Sequence, residues 1–210
     1  MQLYGFPPSP NTWKVLALAH EIGAPLDLQL VDLTKGAQRA PEYLALNPCG
    51  RTPVLVDGDF TLWESSAILQ YIAAKANSPL YPDDMRMRAD IARWQSWQLA
   101  HWQPSVAPMI FENIVKRLVL KLGEPDAKVV AAAAEAFRKE AAVLDAHLGR
   151  QPWLAGAALT IADFSVVAPL FYAEPAKIPV EPYANIARWF SRIAAMPSWR
   201  ATAPALPAAA

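Results

Sequence analysis

Residues 47–66, NPCGRTPVLVDGDFTLWESS, constrain the fold more than any other part of the chain. Val54-Leu55-Val56 is a short apolar, β-branched run, Asp57-Gly58 supplies a tight turn, and Phe60 and Leu62 alternate with Thr61. An Asp-Gly pair between two such runs predicts a β-hairpin. Pro53 opens the first strand and pushes Thr52 into an extended conformation, where its N–H and C=O face whatever lies alongside. Glu64-Ser65-Ser66 then precedes the apolar-rich run of residues 67–72, so a helix start carrying hydroxyls follows the hairpin directly. Helix starts of this kind bind carboxylates. One short stretch thus sets an extended peptide edge beside an anion-binding helix end, which suits a small extended peptide with a free carboxylate.

The rest of the chain arranges itself before and after this stretch. Residues 1–5 read as a strand, and Phe6-Pro7-Pro8 as a rigid exit loop. Ser9-Pro10 begins a helix that runs to Ile22 and is stopped by Gly23 and Pro25. Leu26, Leu28 and Leu30 alternate with Asp27 and Gln29, so a second strand follows, then a loop and a short helix over residues 41–46. The order β-α-β-α-β-β-α predicts a mixed four-stranded sheet with helices on its faces over residues 1–77. Residues 78–85 form a turn-rich linker. Beyond it lies no strand pattern, and residues 86–210 read as an all-helical domain. Its helices are expected at 86–103, 105–122, 126–148, 161–172 and 183–195, with breaks at Pro104, Gly123-Glu124-Pro125, Gly149 and Pro182. The tail ATAPALPAAA is expected to be ordered only if it docks.

Charge and cysteine content narrow the function. Lys+Arg and Asp+Glu both number 19 in 210 residues, a balance that argues against nucleic acid or an acidic membrane surface as partner. The single cysteine, Cys49, excludes an internal disulfide and any cysteine-rich metal site. The first residues lack the basic and apolar regions of a secretory signal, and no apolar run approaches the roughly 18 residues of a spanning helix. A soluble, cytoplasmic protein is expected, with no metal.

Three segments carry a family resemblance that runs nearly end to end. LYGFPPSPNTWKV (3–15), NPCGRTPVLVDGDFTLWESSAI (47–68) and WLAGAALTIADFSV (153–166) together resemble the glutathione transferase superfamily, in its bacterial, serine-type, theta- and phi-like classes. The resemblance implies an α/β thioredoxin-like N-terminal domain, an all-α C-terminal domain and a homodimer. It also implies glutathione as co-substrate, a small-molecule electrophile as the second substrate, and a role in detoxification. Two other functions stay open: glutathione-dependent disulfide or peroxide reduction, and a non-catalytic regulatory module on the same fold.

On this reading Ser9 hydrogen-bonds the glutathione sulfur, with Asn11 as second donor. Ser-Pro is equally an ordinary N-cap followed by proline at the first helical position. Thr52 and cis-Pro53 are expected to pair with the cysteinyl backbone, Glu64 and Ser65 to hold the γ-glutamyl end, and Arg51 and Gln38 the glycine carboxylate. Glu64 and Ser65 read equally well as helix caps. Trp97 and His101 share a face of the first long helix with Trp94, and Trp102 is expected to point elsewhere. By family position Phe6, Trp97, His101 and Phe111 flank the electrophile pocket. Cys49 does not occupy the Ser9 position, which speaks against thioltransferase chemistry. Thr160-Ile161-Ala162-Asp163 predicts a capping box with a structural role.

Overall fold

The computed structural model describes residues 1–204. The chain divides into two compact units: Met1–Pro82 together with the described residues from 197 onward, and Asp83–Met196. The first boundary falls inside the expected linker. The second is a correction, because residues 197–204 were assigned to the helical domain and instead join the first unit.

In the first unit, β1 (Gln2–Gly5), α1 (Pro10–Glu21), β2 (Asp27–Leu30), α2 (Pro41–Leu46), β3 (Val54–Asp57), β4 (Phe60–Trp63) and α3 (Ser65–Lys75) follow in that order. The sheet runs β2-β1-β3-β4, parallel between β1 and β2 and antiparallel elsewhere. Leu3 lies opposite Leu28 and Leu55, and Leu55 opposite Leu62. The hairpin turn is Gly58-Asp59, with Gly58 at φ +64°, one residue later than the sequence suggests. Leu3, Leu55, Val15, Leu18, Ile68, Leu69 and Ile72 are fully buried, so strands and helices share one apolar core. β2 is an edge strand, and its Leu30 remains 67% exposed. The last described helix, α10 (Pro197–Ala201), packs on α1. There the Trp199 and Trp13 rings meet edge-on at 5.3 Å, and Trp13 Nε1 donates to Thr202 Oγ1 at 3.1 Å. Thr202 thus docks the start of the tail on α1, and residues 205–210 of the tail lie outside the described residues.

The second unit contains α4 (Met85–Trp97), α5 (Gln103–Ile110), α6 (Ala127–Leu148), α7 (Ile161–Val167), α8 (Ala173–Ala176) and α9 (Ala184–Ala194). Two expectations fail here for one reason. Pro104 does not break the first long helix, which continues from Met85 through a π-helical turn at Gln98–Trp102, α5 and a second π segment at Phe111–Val119. Gln103 N–H reaches back five residues to the Gln98 carbonyl, and the widened turn accommodates the proline ring and its missing N–H. The extra residue in that turn also alters which side chains share a face. Trp102 consequently stacks on Trp97, with ring centroids 5.5 Å apart, instead of pointing elsewhere. Pro169 lies in a 3-10 segment, Ala168–Tyr172, which ends α7 earlier than expected.

Candidate functional site

The N-termini of α1 and α3 meet in the first unit. Gly5 ends β1 where Thr12 passes so close that a Cβ would lie 2.5 Å from its Cγ2, so only glycine allows strand and helix to approach this far. The loop between them is held by Ser9 N–H to the Phe6 carbonyl at 2.8 Å and by Phe6 N–H to Thr12 Oγ1 at 3.3 Å. Ser9 occupies the N-cap with extended backbone, φ −76° and ψ 127°, and Pro10 follows at the start of the helix. Its hydroxyl caps none of the helix N–H groups. The backbone position matches the ordinary cap reading, but the side chain remains available.

Asn11 joins this end to the hairpin helix. Its Oδ1 accepts a hydrogen bond from the Ser65 hydroxyl at 3.4 Å, which leaves the Nδ2 donors for other partners. Ser65 and Ser66 are buried at the first two positions of α3. Glu64, at the N-cap, has φ +73° and ψ 110° and makes no side-chain capping bond. A non-glycine residue in this region carries backbone strain of order 1–3 kcal/mol, and such strain gathers at ligand clamps. Glu64 is also exposed, so its carboxylate is accessible at the helix start.

The turn of residues 47–50 sets the third side. Buried Asn47 accepts the Cys49 N–H through Oδ1 and donates through Nδ2 to the Arg51 carbonyl at 2.8 Å. Tyr43 donates to the same carbonyl at 2.7 Å, and burial pushes its hydroxyl up to about 12. Gly50, at φ +58°, is approached by the Gln38 carbonyl and Arg39 Nη1, which would lie 3.1 and 3.2 Å from a Cβ. With Arg51 pinned by its carbonyl, Thr52 leads into Pro53 across a cis peptide bond. Neither the N–H nor the C=O of Thr52 bonds to another described residue.

These segments give Ser9, Asn11, Glu64 and Ser65 a shared location, and set Thr52 and Arg51 directly before β3. Gln38 lies against the Gly50 turn with its Oε1 buried and unpartnered. Sequence reasoning passed over two residues here. Arg39 brings a second guanidinium to the turn that leads into Arg51. Lys14, on α1, is fully buried with no hydrogen-bond partner at Nζ. Its signal was its position, since Lys14 shares a helical stripe with buried Leu18 at i+4.

The residues proposed to flank the electrophile fare differently. In the second unit, Trp97 packs on Trp94 and Trp102 and donates from Nε1 to Glu140 at 3.1 Å. His101 is exposed in the first π turn, and no hydrogen bond or ring contact joins it to Trp97. Phe111 is 46% exposed at the start of the second π segment. Phe6, in the first unit, is half-buried in the loop before Ser9. Among the described residues no group of three or more His, Cys, Asp or Glu could hold a metal, and no helix is long and apolar enough to cross a membrane. Cys49 is exposed in its turn.

The first unit thus joins a four-stranded mixed sheet to two helix starts, one with a serine hydroxyl that makes no cap and one with an acidic residue at positive φ. The comparisons make this specific. The family model described as "Glutathione S-transferase, N-terminal domain" matches residues 1–74, and "Glutathione S-transferase, C-terminal domain" matches residues 98–197. Glutathione S-transferase 3 of Zea mays is 38% identical, over 99% of this chain and 95% of its own length. The probable glutathione S-transferase GSTF2 of Oryza sativa is 33% identical, over 94% and 93%. Among solved structures, glutathione transferase F7 of Populus trichocarpa superposes with a TM-score of 0.89 at 29% identity, covering 96% of this chain and 97% of that one. A glutathione S-transferase III in apo form gives 0.86 at 37%, covering 100% and 98%. The chain belongs to the glutathione transferase family.

Proposed function

We infer that this protein is a glutathione S-transferase that binds glutathione in its first unit and directs the thiolate at an electrophilic small molecule. Ser9 donates to the sulfur, assisted by the Asn11 amide. Thr52 pairs with the cysteinyl backbone beside Pro53. Ser65 and the start of α3 take the γ-glutamyl carboxylate, Glu64 takes the ammonium, and Arg51 with Gln38 holds the glycine carboxylate. The protein acts as a homodimer in the cytoplasm. The observation that carries this reading is the Ser9 hydroxyl, set at a helix start yet committed to no cap.

Magnitudes limit what Ser9 does. A free thiol with pKa about 8.5 is only about 3% ionised at pH 7. A hydroxyl bond to the anion contributes roughly 1.5–3 kcal/mol and the helix dipole roughly 0.3–1, enough together to raise the thiolate fraction about 25-fold. Nucleophilicity falls as the thiol becomes more acidic, with a Brønsted slope of about 0.4–0.5, which removes roughly eightfold of that gain. About threefold remains, so holding the electrophile beside the sulfur supplies most of the acceleration.

Replacing Ser9 by Ala is expected to move the thiolate absorbance titration of bound glutathione to higher pH by about one to two units. An unchanged titration would remove Ser9 from the mechanism. Conjugation of a chloroarene, measured beside glutathione-dependent peroxide consumption, separates transfer from reduction.

A further inference from the structure

Lys14 is a lysine that the proposed chemistry does not use. It is 0% exposed, and its Nζ has no hydrogen-bond partner. Three residues beyond Asn11, it shares that residue's face of α1, the face on which Asn11 meets Ser65. Ser66 Oγ, at the second position of α3, is likewise buried and unpartnered. An amine without a partner in a packed interior is costly, and a natural chain that retains one commonly uses it.

The charge acting on Lys14 is identified. Burial pushes the amine down from its ordinary value to about 7, while the Glu64 carboxylate pulls it up. The elements packed on α1 bring few other ionisable groups. α3 carries Tyr71 and Lys75 toward its far end and α10 carries Arg200, while β1 and β3 of the same unit carry Tyr4 and Asp57. Asp57 is already bound by Lys75 and Tyr71, and His20 of α1 itself is exposed.

We propose that Lys14 is a positioning residue for the γ-glutamyl subsite: its unpartnered amine, buried on the face of α1 that meets the start of α3, becomes charged as the ligand's carboxylate arrives, so that glutathione binding draws a proton into the protein. The proposal rests on the binding site inferred above. The proton comes from solvent and resides on Nζ, and no covalent bond changes. Glutathione brings two carboxylates and one ammonium, hence a net negative charge, and a buried cation near its binding end is stabilised by it. By linkage, affinity must then fall as rising pH removes the proton from the free protein.

The test uses S-methylglutathione, which has no ionisable thiol, titrated calorimetrically into the full-length protein in buffers of different ionisation enthalpy. With a tenfold preference of the ligand for the charged amine, a typical coupling, uptake at pH 7.5 is about half a proton per site. Affinity falls about fivefold between pH 6 and pH 8 on the same basis. Lys14→Met is expected to abolish the uptake, flatten the pH dependence and weaken binding severalfold at pH 6. Lys14→Arg, permanently charged, should restore the affinity seen at pH 6 without restoring proton uptake. A wild-type protein that binds with buffer-independent heat overturns the role of Lys14 and leaves the binding site standing. So does a Lys14→Met variant that keeps the full proton uptake. Failure to bind S-methylglutathione at all overturns both.

Discussion

Two buried charges, one in each unit, are treated in opposite ways. Asp163 in α7 is completely enclosed, and its carboxylate accepts from Leu154 N–H at 3.0 Å, Thr160 N–H at 2.9 Å, Thr160 Oγ1 at 3.2 Å and Trp189 Nε1 at 2.9 Å. Burial still pushes it up to about 6, against all four donors. Lys14 in α1 is enclosed just as fully, and its Nζ has no hydrogen-bond partner. Where a buried charge ties helices together, the chain spends its own donors to satisfy it. Lys14, on the helix face that meets the start of α3, has its donors left uncommitted. The contrast sets a satisfied buried charge against an unsatisfied one.

The strongest way to break the comparison is at the satisfied node. Asp163→Ala orphans two backbone N–H groups, a hydroxyl and an indole at once, and is expected to cost about 5 kcal/mol in urea or thermal unfolding. Loss of stability close to that of an ordinary surface substitution would show that the network does not hold the unit.

At the bare node the sign reverses. Lys14→Met replaces an amine that gains nothing from burial with a side chain of similar volume, and should stabilise the protein by about 3–4 kcal/mol at pH 7. The folded amine is depressed from 10.5 to about 7, so the stability it allows is present above the unfolded value and is lost as pH falls through the folded one. The advantage of Lys14→Met should therefore be full below pH 7 and shrink as pH rises toward about 10. Denaturant curves at several pH values measure it, and an advantage that grows with pH would contradict the assignment.

The smallest effect sharpens the distinction. Thr160 caps α7 reciprocally, its Oγ1 accepting the Ala162 N–H while Asp163 accepts the Thr160 N–H. Thr160→Ala should cost about 1 kcal/mol of stability and leave glutathione affinity unchanged. A selective loss of affinity would give the capping box a role beyond structure.

Local chemistry made much of this legible in advance. The hairpin, the capping box and the order of the sheet follow from turn residues and alternation, which act over a few positions. Ser9, Thr52, Glu64 and Ser65 could be singled out because their signals lie at helix starts and beside a proline. Lys14 and Arg39 were missed because nothing local distinguishes a buried or docked basic residue from a solvated one. Only the packing of α3 and α10 on α1, and of Gly50 under Arg39, sets them apart. The uninterrupted helix through Pro104 was missed because a proline is a stop signal in an α-helix, and the π turn that absorbs it leaves no mark in the residue pattern.

The helix bearing Trp199 carries a consequence for how the molecule comes into being. The wall behind Trp13, on the helix that presents Ser9, is built from residues near position 200. On the ribosome, the sheet and its helices emerge before the second unit and wait, with that indole uncovered, until Trp199 has been made. The first unit thus begins before the second and is completed after it. A fragment ending at Pro82 would be a half without its lid.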